Sequence, residues 1–160
     1  MTRFLFLAAV AAGLFVSPAA SALADPGGNV MVRLADAQQM ADRAQRAAAE
    51  KGLNVSVVIV NREGRVVLSH RMDGSSFLNL SLAEKKAATA AAIGAPTSIL
   101  EQAVDAGKAS LLSVPGAAMV GGGVPIMRGD TIVGGVGVSG GSAQDDEGIA
   151  KSALDAGPTK

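Results

Sequence analysis

The chain has no cysteine, no tryptophan and no tyrosine. Without cysteine there is no disulfide framework, and zinc sites of the Cys/His type are excluded. His70 is the sole histidine. A nucleophilic serine needs a base beside it, and no triad can be assembled from this sequence. Aromatic rings are almost missing. Phe4, Phe6 and Phe15 crowd the N-terminus, leaving Phe77 alone beyond them, which excludes base-stacking platforms. Charge of either sign is not in excess: 14 basic residues balance 14 acidic ones. Nothing points to nucleic acid or an acidic membrane as partner. The acids fall on helix surfaces and caps, so the paired carboxylates of a hydrolase are not evident.

What is present begins with a targeting pattern. Arg3 precedes an apolar run, Phe4 to Val16, too short to span a bilayer. Small residues follow, ending Ala22-Leu23-Ala24, which fits the rule for signal-peptide cleavage. The expected division is a signal peptide over 1–24, a leader over 25–33 and one domain over 34–157. Its expected location is periplasmic or secreted, free of membrane once cleaved; an uncleaved anchor is the alternative. An exported chain without cysteine must take its stability from packing.

The domain is organised around Thr131 to Ala150. Ile132, Val133, Val136 and Val138 mark a buried strand. Gly135 and Gly137 strip one face of that strand bare, which a strand tolerates where another backbone comes very close. Ser142 and Asp145 have capping-box spacing, so a helix is expected over 143–156. Gly135-Val-Gly137-Val-Ser-Gly140 also matches a dinucleotide fingerprint. That fold needs a further parallel strand after the helix, and the residues up to Lys160 leave no room for one.

Upstream, Leu34 to Lys51 reads as an amphipathic helix whose apolar stripe is mostly alanine, closed by Gly52. Asn54–Asn61 and Arg65–Met72 form a hairpin. Val57 to Val60 are apolar without a break, so both faces of that strand should be covered. A capping box at Ser81 and Glu84 predicts a helix from Leu82 to Ile93, closed by Gly94. Its small face of Ala83, Ala87, Ala90 and Ala91 is the expected partner of Gly135 and Gly137. Ser98 and Glu101 predict a short helix to Ala106. Ala117–Val120 and Pro125–Met127 read as two short strands about a Gly121-Gly122-Gly123 hinge. The expected fold is α+β: a three-layer α/β/α arrangement around a five-stranded, mainly antiparallel sheet.

Five motifs recur here in the order and spacing of a known family. They are Arg71-Met72-Asp73-Gly74, Lys86-Ala-Ala-Thr89-Ala90, Pro96-Thr97-Ser98, Gly122-Gly123-Val124-Pro125-Ile126, and Gly135-Val-Gly137-Val-Ser139-Gly140-Gly141 with Asp145-Asp146. Over about Leu34 to Ala156 the chain resembles the GlcG/HbpS family. The resemblance implies a profilin-like, GlcG-like fold and a homo-oligomer. It also implies haem binding, described in some relatives as haem degradation or sensing. No haem ligand of a relative maps onto this chain through the shared motifs.

Haem iron takes His, Met, Cys or Tyr. Here that leaves His70 and Met31, Met40, Met72, Met119 and Met127. The candidate cofactor-binding set is His70, Arg71, Met72, Lys86 and Thr89, with His70 the candidate axial ligand and no catalytic residue assigned. His70 reads as a strand-end imidazole, in water or bonded to backbone, before it reads as an axial ligand. Met72 reads as core before ligand. Arg71 and Lys86 read as propionate partners or as solvated charges. Two functions follow: an exported haem-binding protein, with or without slow haem breakdown, or a non-haem module that binds a small organic acid or serves as an oligomer subunit.

Overall fold

The computed structural model describes residues 31–155. The expected signal peptide and most of the leader lie outside that range. Four helices and four strands run α1 (Leu34–Glu50), β1 (Ser56–Asn61), β2 (Val66–Arg71), α2 (Phe77–Ile93), α3 (Ser98–Asp105), β3 (Gly123–Arg128), β4 (Thr131–Ser139) and α4 (Ala143–Leu154). A 3-10 turn, Ala109–Ser113, follows α3. Among the described residues no helix is long and apolar enough to cross a membrane.

The sheet is antiparallel throughout, in the order β2-β1-β4-β3. It has four strands, not the five expected. Ala117–Val120 is the segment that fails to become a strand. Two of its backbone groups bond to side chains instead of joining a ladder. The Ala118 N–H donates to Thr89 Oγ1 at 2.9 Å, and the Val120 carbonyl accepts from Thr97 Oγ1 at 2.7 Å. Hydroxyls from two distant positions thus take the bonds a neighbouring strand would supply.

Helices cover both faces of the sheet. Val57 and Ile59 of β1 join Val136 and Val138 in a core closed by Ala37, Ala41, Ala44 and Ala48 of α1 and Ile149, Ala150 and Ala153 of α4. Val58 and Val60 point the other way, onto Ala83, Ala87 and Ala91 of α2. The unbroken apolar run of β1 is therefore buried on both sides, as period-two geometry requires.

Close packing of α2 on the sheet depends on the bare face of β4. A Cβ on Gly137 would strike the Ala83 carbonyl, and one on Gly135 the Ala87 carbonyl. Backbone there meets backbone, with alanine the largest side chain between. Alternation along β4 slips once. Ile126 pairs with Gly134 and Met127 with Ile132, leaving Val133 as the extra residue of a bulge. Ile132 consequently turns toward Gly94 while Val133 joins the core under α1 and α4.

Two helix starts depart from expectation: α3 has no side-chain cap, since Ser98 is already its first residue and Glu101 accepts from the Gly121 N–H. α2 starts at Phe77, capped by Ser76, whose side chain accepts from the Asn79 N–H. The Ser81 box lies inside the helix. At α4 the expected cap is found: Ser142 Oγ accepts from the Asp145 N–H at 3.1 Å and donates to the Asp145 carboxylate at 2.7 Å.

The open edge of β3 has a particular chemistry. The Gly123 carbonyl and N–H bond outward to Thr97, so Pro125, two residues on, presents its missing N–H on the same edge. The outer strand at the other side, β2, holds a bulge at Val67: Ile59 pairs with Leu68 and Val60 with Val66.

Candidate functional site

The five candidate residues do not converge. His70 is half-buried on β2, with Nδ1 3.3 Å from the Gln45 side-chain amide of α1. It belongs to the α1 side of the sheet, where Met72 packs against the core. Arg71 faces neither. Its guanidinium donates to the Ser75 carbonyl at 2.6 Å and lies 4.5 Å from the centre of the Phe77 ring. Phe77 itself is 77% exposed, so this is a surface cation–π contact at the start of α2.

Lys86 is buried, only 1% exposed. It leaves α2 past the Gly122-Gly123 backbone and reaches α4. Its Nζ donates to Asp146 at 2.8 Å and to the Val138 carbonyl at 3.0 Å. The other Asp146 oxygen accepts from the Gly141 N–H at 2.8 Å. This pair is enclosed, and each partner makes a second hydrogen bond to the backbone. Glycine makes room for it: a Cβ on Gly122 would sit 2.7 Å from Nζ. The triglycine read as a hinge is the passage for this ion pair.

Thr89 is also buried and also satisfied. Its hydroxyl donates to the Lys85 carbonyl at 2.7 Å and accepts from Ala118. Unlike the others, it forms part of a cavity wall. A half-open cleft of about 460 Å³ lies on the side of α2 turned away from the sheet. Ala88, Thr89, Ala92 and Ile93 of α2 form its floor. Leu100 of α3, Leu111 of the 3-10 turn, and Val114 and Pro115 just beyond it line the rest. Met119 completes it. Ile93 and Val114 are 41% and 48% exposed, so apolar surface extends over the rim. The size falls within the range of small-molecule sites.

Sequence reasoning missed this cleft. Its walls are ordinary aliphatic residues from three segments, and of the candidate residues only Thr89 touches it. A second groove, between α3 and α4, is polar. There Glu101 accepts from the Gly121 N–H at 2.7 Å and Glu147 pairs with Lys151 at 2.6 Å. Burial raises the Glu147 carboxyl, but hydrogen bonds from Lys151 and Ser98 outweigh it and the net shift is downward. Among the described residues no three His, Cys, Asp or Glu side chains cluster to hold a metal ion.

Comparison with known proteins places the fold, a helix-covered antiparallel sheet with Gly135 and Gly137 under α2. A family model described as "Haem degrading protein HbpS-like" matches residues 32–155. The chain belongs to the HbpS-like family. Its fold follows the crystal structure of HbpS with a TM-score of 0.73 at 35% identity, over 77% of this chain and 87% of that one. The crystal structure of a PduOC–haem complex is similar at TM-score 0.71 and 30% identity, over 78% and 93% of the two chains. An uncharacterised 15.0 kDa protein from the dhaT–dhaS intergenic region of Citrobacter freundii is 30% identical over 128 residues, 78% of this chain and 90% of its own. Membership in the HbpS-like family agrees with the profilin-like layering and associates the fold with haem.

Proposed function

We propose that this chain is an exported haem-binding protein, and that the apolar cleft on α2 is where haem is held. The observation that carries this is the state of Thr89. It is the one hydroxyl in the cleft wall, and both of its hydrogen-bonding roles are filled from within. The wall therefore offers a ligand hydrocarbon and one thioether, a surface for a flat apolar ring system. Ala88 and Ala92, as small residues, let a planar ligand lie close to the helix. Val114 and Pro115 add apolar surface to the same cleft. When bound, haem supplies iron redox chemistry. His70 stands on the far side of the sheet, against Gln45, which favours the cleft over the β2 face. Export rests on the signal pattern in residues 1–24, and the haem association of family relatives supports the choice of ligand.

The test is a hemin titration of the purified mature protein, followed in the Soret region, beside Ala92→Trp. The indole should fill the cleft and abolish the band while circular dichroism stays that of the folded protein. A Soret change equal in both proteins would move haem elsewhere; none in the wild type would remove haem altogether. Slow loss of the band with ascorbate in air would add haem breakdown to binding.

A further inference from the structure

We infer that Met119 is the side chain that ligates haem iron in this protein, an assignment that rests on the haem reading of the cleft. The argument begins with what the cleft can donate. Its walls are alkyl groups, a glycine and a proline, apart from Thr89 and Met119. The Thr89 hydroxyl is occupied on both sides, by the Lys85 carbonyl and the Ala118 N–H. One uncommitted Lewis base remains, the Met119 thioether. Thioether sulfur is an established axial donor to haem iron.

The remaining methionines among the described residues are elsewhere. Met40 and Met72 pack against the core under α1 and α4. Met31 and Met127 are 53% and 45% exposed and take no part in the cleft.

The local backbone explains why Met119 is suited to the role. Residues 117–120 form no strand, yet they are held at several successive points. Ala118 N–H is bonded to Thr89 Oγ1 and the Val120 carbonyl to Thr97 Oγ1. The Gly121 N–H is bonded to the Glu101 carboxylate at 2.7 Å. Met119 thus sits between two anchored peptide groups, in irregular backbone fixed by side chains of α2, the α2–α3 connection and α3. A ligand residue needs such a supporting shell, because a mobile methionine loses affinity to ordering entropy. In the sequence, this segment looks like a weak strand; in the fold, it is a mount for one side chain.

Thioether ligation raises the reduction potential of haem relative to imidazole ligation. The experiment therefore reads spectrum and potential rather than turnover. Hemin-loaded wild type, Met119→Leu, Met119→His and His70→Ala are compared by absorption in both oxidation states and by redox titration. Wild type should show the near-infrared sulfur-to-iron charge-transfer band. Met119→Leu keeps the volume of the wall, so hemin affinity should fall by less than about tenfold. The sulfur band should vanish and the potential should drop. Met119→His should give an imidazole-type spectrum, and His70→Ala should match wild type. Hemin binding by the wild type with no spectral change in Met119→Leu or Met119→His would overturn Met119 while leaving haem in the cleft. Failure of the wild type to bind hemin would instead overturn the haem reading on which the assignment stands.

Discussion

Lys86 Nζ lies 2.8 Å from the Asp146 carboxylate, and the two side chains are 2% and 3% exposed. This contact ties α2, on one face of the sheet, to α4, on the other. Removing one partner strands a charge without solvent or counter-ion. Lys86→Met or Asp146→Leu alone should destabilise by about 3–5 kcal/mol. The double variant should recover much of that, since a hydrophobic pair of similar volume can replace a buried ion pair. Denaturant midpoints of the three proteins test this; losses that simply add would show no coupling.

Gly137→Val places side-chain atoms against the Ala83 carbonyl, in contact too close to absorb without moving α2. The expected loss is about 1–3 kcal/mol, and more if the helix cannot retreat. Gly148→Ala on α4 is the control, because a Cβ there meets nothing within 4 Å. Equal midpoints for Gly137→Val and wild type would mean α2 does not depend on that bare face.

Acid should weaken the hold on α4. The Asp145 carboxyl accepts from Lys51 Nζ and from Ser142 Oγ, and these bonds hold it below the usual carboxylate range. A carboxyl depressed in the folded state adds stability above its unfolded pKa, and this is lost as pH falls through the folded value. Asp145→Asn should therefore flatten the fall in midpoint below the ordinary carboxylate pKa and leave the neutral region with the smaller stability. Identical slopes in variant and wild type would remove Asp145 from the acid response.

Export can be read from mass. The Ala22-Leu23-Ala24 ending places cleavage before Asp25. Intact-mass measurement of protein from the exported fraction should find Asp25 first. A species there retaining Met1 would establish the uncleaved anchor.

Much of the fold was legible because it follows from local rules. The glycines of β4 and the alanines of α2 announce a close approach from opposite ends of the sequence, and they meet as expected. Ser142 caps its helix as its spacing requires. Ser81 misled, because Ser76 offers an earlier cap, and exposed Phe77 and Leu78 hide the amphipathic pattern of the first turn. Residues 117–120 misled for a tertiary reason. Their apolar composition suits a strand, but the hydroxyls that claim their backbone come from positions 29 and 23 residues away. The candidate site was the least legible. A lone histidine draws attention in a sequence, whereas a cleft of alanine, leucine and valine carries no motif. The alanine stripes of α1 and α2 are consumed inside the chain, against the sheet.

Pro125 and the bulge at Val67 bear on how copies of this chain can meet. A strand arriving at the β3 edge finds a donor missing at Pro125 and Gly123 already engaged by Thr97. One arriving at β2 meets an outer strand whose register breaks. Strand-by-strand polymerisation, the usual hazard of an open antiparallel sheet, is obstructed at both borders. Edge-to-edge pairing of two copies is hindered on both sides, so any contact between copies falls to the outer faces of the helices.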